Sequence, residues 1–164
     1  GRSDLERRGG PRPEHELSPE VLRTQRALAA ERRAADAMAQ AGFDVEFTEG
    51  RFRPGELEAE GLDPNARPDL RIEGRLADVY TPGRGTSVDR VVRHIFDKVH
   101  QQQARRVVVH LDRDITRLDQ NTIAERLRNE VKRHGARGLK EVFVVQRGRV
   151  YRIYPRPPIS YPVR

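Results

Sequence analysis

A change of hydrophobic period in mid-chain constrains this sequence most. Val88, Val91, Val92, Ile95, Phe96 and Val99 recur at helical spacing and draw one apolar stripe along a helix that starts at Ser87. Residues 105–111 then carry Val107, Val108 and Val109 in succession, a run too short for a stable helix and suited to a strand covered on both faces. Before the helix, residues 70–73 and 76–80 read as two short strands with Glu73-Gly74-Arg75 as their turn. A helix between two strands favours a parallel crossover.

The flanks extend this pattern. Ser18-Pro19-Glu20 supplies an N-cap and a first helical proline. The Ala-, Leu-, Arg- and Glu-rich helix that follows should run to Gly42, with Leu28, Ala35, Met38 and Ala39 on one face. Residues 43–47 alternate as a strand, and the polar stretch 48–68 reads as a long loop. A third helix over 119–134 carries Ile123, Leu127 and Val131 and closes at Gly135, followed by strands over 139–146 and 149–154 around Arg147-Gly148. The expected fold class is α/β, a mixed central sheet flanked by helices. Residues 1–18, rich in Arg, Gly and Pro, read as a linker or disordered arm, 19–155 as one domain, and 156–164 as a proline-rich tail. The opening at Gly1 is what a segment of a longer polypeptide would show.

Charge narrows the partners. A formal net charge of +7 and an isoelectric point near 10.5 favour an anionic partner, nucleic acid before lipid, with a merely solvated basic surface as the alternative. The absence of cysteine excludes disulfides and thiolate zinc sites. No apolar run approaches the ~20 residues of a membrane helix, and the start does not resemble a signal peptide.

Against that background two aspartates are out of place. Asp69 opens one apolar strand after Pro68, and Asp78 sits inside the next, between Ala77 and Val79. A carboxylate in an apolar strand must be neutralised, hydrogen-bonded or matched to a cation, and two of them brought together by a turn make a seat for a hard divalent ion. Taken singly, Asp69 also fits a locally satisfied strand start. Glu31 lies about 60° from Leu28 and about 40° from Ala35 around its helix, so it shares the apolar face. An edge glutamate paired with Arg26 or Arg32 is the other reading, and Asp36 is the fallback one helical turn away. Lys98 borders the apolar stripe of its helix and either reaches water or points at Asp78. Carboxylates holding a divalent ion beside a lysine are equipped for phosphodiester chemistry. Arg105, Arg106, Arg147, Arg149 and Arg152 are candidate phosphate contacts. His94 and His110 either assist in the cleft or, as lone histidines more often do, serve as ordinary surface or core residues, and Tyr80 either stacks on a base or fills the core.

The residues Glu31, Ala35, Met38-Ala39, Gly42-Phe43, Pro68-Asp69-Leu70-Arg71-Ile72-Glu73-Gly74, Ala77-Asp78-Val79-Tyr80-Thr81-Pro82, Lys98-Val99, Arg106-Val107-Val108-Val109 and Gly138-Leu139-Lys140-Glu141-Val142 follow in an order that resembles the CdiA C-terminal tRNase domain of contact-dependent inhibition and other bacterial polymorphic toxins. The resemblance spans about residues 23–155. It implies a PD-(D/E)XK-like nuclease fold whose active site uses a helical glutamate, two strand aspartates and a lysine, at Glu31, Asp69, Asp78 and Lys98. Tyr80 stands where the wider superfamily pattern has lysine, which fits a lysine moved to the next helix. Arg32-Arg33 replaces a more polar or acidic pair, and the stretch between Glu46 and Pro68 is longer than in relatives.

The resulting expectation is a metal-dependent endoribonuclease toxin, using Mg²⁺ or another divalent ion at Asp69, Asp78 and Glu31. It would be part of a secreted or surface-delivered effector, would cut tRNA in the cytoplasm of a competing bacterium, and would be blocked by a cognate acidic immunity protein. The free domain is expected to be monomeric. A DNA endonuclease of the restriction or repair type on the same fold, and a non-catalytic RNA-binding module, are the alternatives.

Overall fold

Ser18 starts the first helix: its hydroxyl accepts the Val21 N–H at 3.2 Å, and Pro19 follows without an N–H to leave unpaired. Helix α1 then spans Pro19–Gln40. The computed structural model describes residues 17–111 and 118–164; the expected N-terminal arm lies, but for its last two residues, outside them. Strand β1 (Val45–Phe47), the single-turn helix α2 (Glu56–Ala59), β2 (Leu70–Ile72), β3 (Arg75–Tyr80), α3 (Val88–His100), β4 (Arg106–His110), α4 (Gln120–His134), β5 (Glu141–Gln146), β6 (Arg149–Tyr154) and β7 (Ile159–Pro162) follow.

The seven strands lie in chain order in one mixed sheet. Parallel pairing is confined to β3 with β4 and β4 with β5, where helices α3 and α4 make the crossovers, and the other neighbours are antiparallel hairpin-type pairs. The β2–β3 turn places Glu73 and Gly74 at φ 51° and 78°, the left-handed pair that a two-residue hairpin needs. It sets Leu70 opposite Ala77, which brings Asp69 and Asp78 to facing positions just beyond.

Alternation sorts the sheet into two faces. Val107, Val109, Val142 and Val144 join α3 and α4 in one core, whereas Val108, Phe143, Leu70, Ile72 and Ala77 meet α1 in the other. The apolar face of α1 is Ala30, Ala34, Ala35 and Met38. Leu28 is displaced from it and is 48 % exposed, and Ala39 is exposed too, because the small alanines, rather than the leucine, let the helix lie close on the sheet.

Two elements depart from expectation. The loop over 48–68 contains α2, anchored by a buried ion pair in which Arg71 Nη2 lies 2.7 Å from Glu56 Oε1. The proline-rich tail carries β7, whose Tyr161 ring packs edge-on to Phe43 with centroids 5.0 Å apart, Phe43 meeting Phe143 at 5.4 Å. Prolines there are compatible with an edge strand, which is why composition alone hid it.

Candidate active site

Asp69 and Asp78 are tied to each other through the backbone. The Asp69 N–H donates to Asp78 Oδ1 at 3.2 Å, and the Val79 N–H donates to Asp69 Oδ2 at 3.0 Å. These bonds continue the hairpin one step past its ladder, so the β2–β3 register itself aims both carboxyls. From α3, Lys98 Nζ donates to the second Asp78 oxygen at 2.9 Å. Asp78 is 7 % exposed; the lysine that sequence left between water and the aspartate points at the aspartate.

Glu31 completes the group from α1, its carboxyl within hydrogen-bonding reach of Asp69. It opens into a cleft of about 290 Å³ that it shares with Asp69, Thr48, Phe47 and Arg67. Thr48 positions the strand entering the site: its hydroxyl donates to the Pro68 carbonyl at 2.6 Å and its N–H to the Asp69 carbonyl at 3.0 Å. Sequence reasoning passed over Thr48, since a threonine after a strand carries no distinctive spacing.

A family model described as the contact-dependent growth inhibition CdiA C-terminal domain matches residues 66–150, just over half of the chain. This chain belongs to that family. The matched stretch holds Asp69, Asp78 and Lys98 and stops short of Glu31 on the N-terminal side. A chain of the solved CdiA-CT/CdiI toxin and immunity complex from Burkholderia pseudomallei is similar in structure, with a TM-score of 0.58 and 28 % identity, covering 84 % of this chain and 89 % of that one. Comparison with curated proteins gives no match.

The electrostatics of this CdiA C-terminal domain follow from crowding. Burial, then the neighbouring Asp78 and Glu31 charges, push the Asp69 carboxyl up to about 8, against the Val79 N–H that lowers it. Burial first, and Asp78 as well, raise Glu31. A carboxyl raised in this way keeps its proton in the folded chain while the unfolded chain has lost it, between about pH 4 and about pH 8. From Asp69, stability therefore falls as pH rises through that window. Asp69→Asn is expected to flatten this slope and to raise Tm at pH 8 by ~5 °C, with little change near pH 4; thermal melts of both proteins across the range check it.

Among the described residues no three His, Cys, Asp or Glu side chains form a ready-made cation cage. What is present is a pair of facing aspartates with Glu31 beside them, whose mutual repulsion a cation relieves. That donor set fits a magnesium-type ion, which keeps several waters and takes one or two carboxylates, better than a calcium site with six or more protein oxygens.

The five arginines considered for phosphate fall into two groups, Arg105 and Arg106 at the start of β4 beside β3, and Arg147, Arg149 and Arg152 around β6. Arg106 pairs with Glu141 at 2.9 Å and Glu60 at 3.4 Å. Arg105 packs on Gly61, where a Cβ would stand 2.5 Å from its Nη2, and also against Gly138; both side chains thus serve internal contacts. Arg149 donates to Ser160 Oγ at 2.7 Å, and Arg152 sits in mid-strand on β6 opposite Phe143 and Ile159. Arg147 is exposed in the β5–β6 turn. Strand β6 is three strands from β3, roughly 14 Å at sheet spacing. Of the two histidines weighed for the site, His110 is buried at the end of β4, whereas His94 stacks on Tyr80 with ring centroids 3.8 Å apart at 17°. Burial, and then the Lys98 ammonium, hold His94 below the usual imidazole range.

Proposed function

We propose that this domain is a metal-dependent endoribonuclease toxin of the PD-(D/E)XK-like kind that cleaves tRNA inside a competing bacterium. The observation that carries the reading is the convergence of Glu31, Asp69 and Asp78 with Lys98 at the interior strands β2 and β3, where α1, the β2–β3 hairpin and α3 meet. Asp69 and Asp78, helped by Glu31, would hold a divalent ion. Such an ion supplies Lewis-acid polarisation of a phosphate oxygen and a lowered pKa for a coordinated water.

The chain's own contribution is orientation and charge. Asp78 fixes the Lys98 ammonium through a 2.9 Å charge-assisted bond and keeps it beside the carboxylates, where it can offset negative charge as it grows on the phosphate. The Asp69 and Val79 N–H bonds hold the two aspartates against rotation, so little reorganisation is needed on binding. A net charge of +7 supplies sequence-independent attraction to the RNA backbone, and binding should weaken steeply with salt.

Membership of the CdiA C-terminal family and likeness to a chain of a toxin and immunity complex support delivery from a surface effector and a cognate immunity protein. An acidic immunity surface would complement this basic domain. Incubating the domain with total tRNA and with plasmid DNA, each with Mg²⁺ or with a chelator, tests the reading. Cleavage of tRNA that the chelator stops is expected. Cutting of plasmid alone would instead make it a DNA endonuclease, and binding without cutting an RNA-binding module.

A further inference from the structure

A second rung stands beside the acidic one. Asp78 and Tyr80 are two residues apart on β3 and so share a face, about 6.6 Å apart along the strand. Lys98 and His94 are four residues apart on α3 and share a face about one turn, 6 Å, apart. The two spacings match: as Lys98 meets Asp78, so His94 meets Tyr80 as a stacked pair. One further turn up α3 stands Arg90, which lines the same hollow as Tyr80. The stack borders a hollow of about 440 Å³ lined by Tyr80, Thr86, Arg90, Arg93, His94 and Asp97, large enough for a nucleoside.

The composition of this hollow fits a nucleotide. Two exposed arginines face one carboxylate, so the hollow carries an excess of positive charge beside aromatic rings. Unpaired bases are held by stacking on aromatic side chains while cations track the phosphates. Both rings are only partly buried, and a stacked pair formed solely to fill the core would not border an open basic hollow. The progression Asp78–Lys98, Tyr80–His94, Arg90 also advances by about one nucleotide step of an extended strand.

We propose that the Tyr80–His94 pair is the stacking platform for an unpaired base of the RNA substrate, next to the bond cut at the acidic cluster, with Arg90 on the adjoining phosphate. The proposal rests on the nuclease reading and extends it from the reacting groups to the substrate. Such a platform favours a loop, bulge or end over duplex RNA and tolerates any base, because every base has a π-face.

The test uses the Asp78→Asn protein, to avoid cleavage, and a single-stranded RNA of about 12 nucleotides carrying 2-aminopurine at its centre. Binding should quench 2-aminopurine emission. Tyr80→Ala and His94→Ala should each weaken Kd about tenfold and remove the quenching, while Tyr80→Phe keeps both. Arg90→Gln should lower the slope of log K against log salt by about one, a slope Tyr80→Ala leaves unchanged. Thermal melts establish that each variant is folded, and the salt slope of Arg90→Gln keeps the test decisive if the alanine variants are not. In the otherwise native protein, Tyr80→Ala should raise KM for RNA more than it lowers kcat. Unchanged affinity and quenching in folded Tyr80→Ala and His94→Ala would overturn the platform even if the native domain cuts RNA, and so would absence of binding at low salt. Tyr80-dependent quenching in a domain whose native form cuts nothing would support the platform and remove the nuclease reading.

Discussion

Asp78→Ala is expected to lower phosphodiester cleavage by about a thousandfold or more while the domain stays folded. Asp78 does three things at once: it accepts the Asp69 N–H, it holds Lys98, and it brings negative charge against Asp69. Without it the proposed metal seat loses one of its two facing carboxylates, and the ammonium loses its anchor. The fold should tolerate the change because Lys98, with 23 % of its side chain exposed, can turn to water rather than remain as a buried unpaired charge. Removing Asp78 also relieves repulsion on Asp69. Cleavage assays beside thermal melts check the pair of outcomes. Full activity in a folded Asp78→Ala protein would sink the proposed site.

The second large effect falls on stability. Arg71 and Glu56 are each about 8 % exposed and lie 2.7 Å apart; a second arginine nitrogen, Nε, donates to Glu56 Oε2 at 2.7 Å. The pairing is bidentate, and Arg71 Nη2 also donates to the Arg51 carbonyl at 2.8 Å, so one strand residue pins the long loop that precedes Asp69. Arg71→Met should cost about 2–4 kcal/mol, because it leaves the covered Glu56 carboxylate without its cation, the Arg53 N–H at 2.9 Å remaining. The double variant Arg71→Met, Glu56→Leu should recover much of that loss. The hydrogen bonds from Arg71 lead the causes that hold the Glu56 carboxyl down to about 2. A depressed carboxyl contributes stability above its unfolded value, so this contribution should disappear as pH falls from about 4.5 to about 2. Urea titrations of the single and double variants at neutral pH and near pH 3 measure both effects. Equal stability of Arg71→Met and the parent at neutral pH would show that the pair does not hold the loop.

These two sites differ in how far sequence revealed them. Asp78 stood out because a charge inside an apolar strand contradicts local pattern. Arg71 did not, although it also lies inside such a strand, because its partner is fifteen residues away on a one-turn helix that a Gly- and Pro-containing stretch concealed. The same distinction separates Lys98 from Arg105 and Arg106. A lysine at the border of an apolar stripe has two destinations, which the contact with Asp78 decides. Adjacent arginines read as a phosphate grip in the linear chain, which does not show that Glu60, Glu141, Gly61 and Gly138 also take them up.

The order and type of most elements are legible in the linear chain. Helical and strand periods, the Ser18 cap and the Glu73-Gly74 turn are local, each set by residues a few positions apart. The acids and the lysine are legible there too, since misplaced charges are visible in a linear pattern. Which polar groups meet is set by the packing of the helices on the sheet. The β2–β3 register joins Asp69 to Asp78, α1 brings Glu31 from far upstream, and the matched rise of β3 and α3 stacks His94 on Tyr80. β7 likewise exists because β6 and Phe43 receive it. Such pairings depend on how sheet and helices are superposed in space, and no short-range periodicity encodes that.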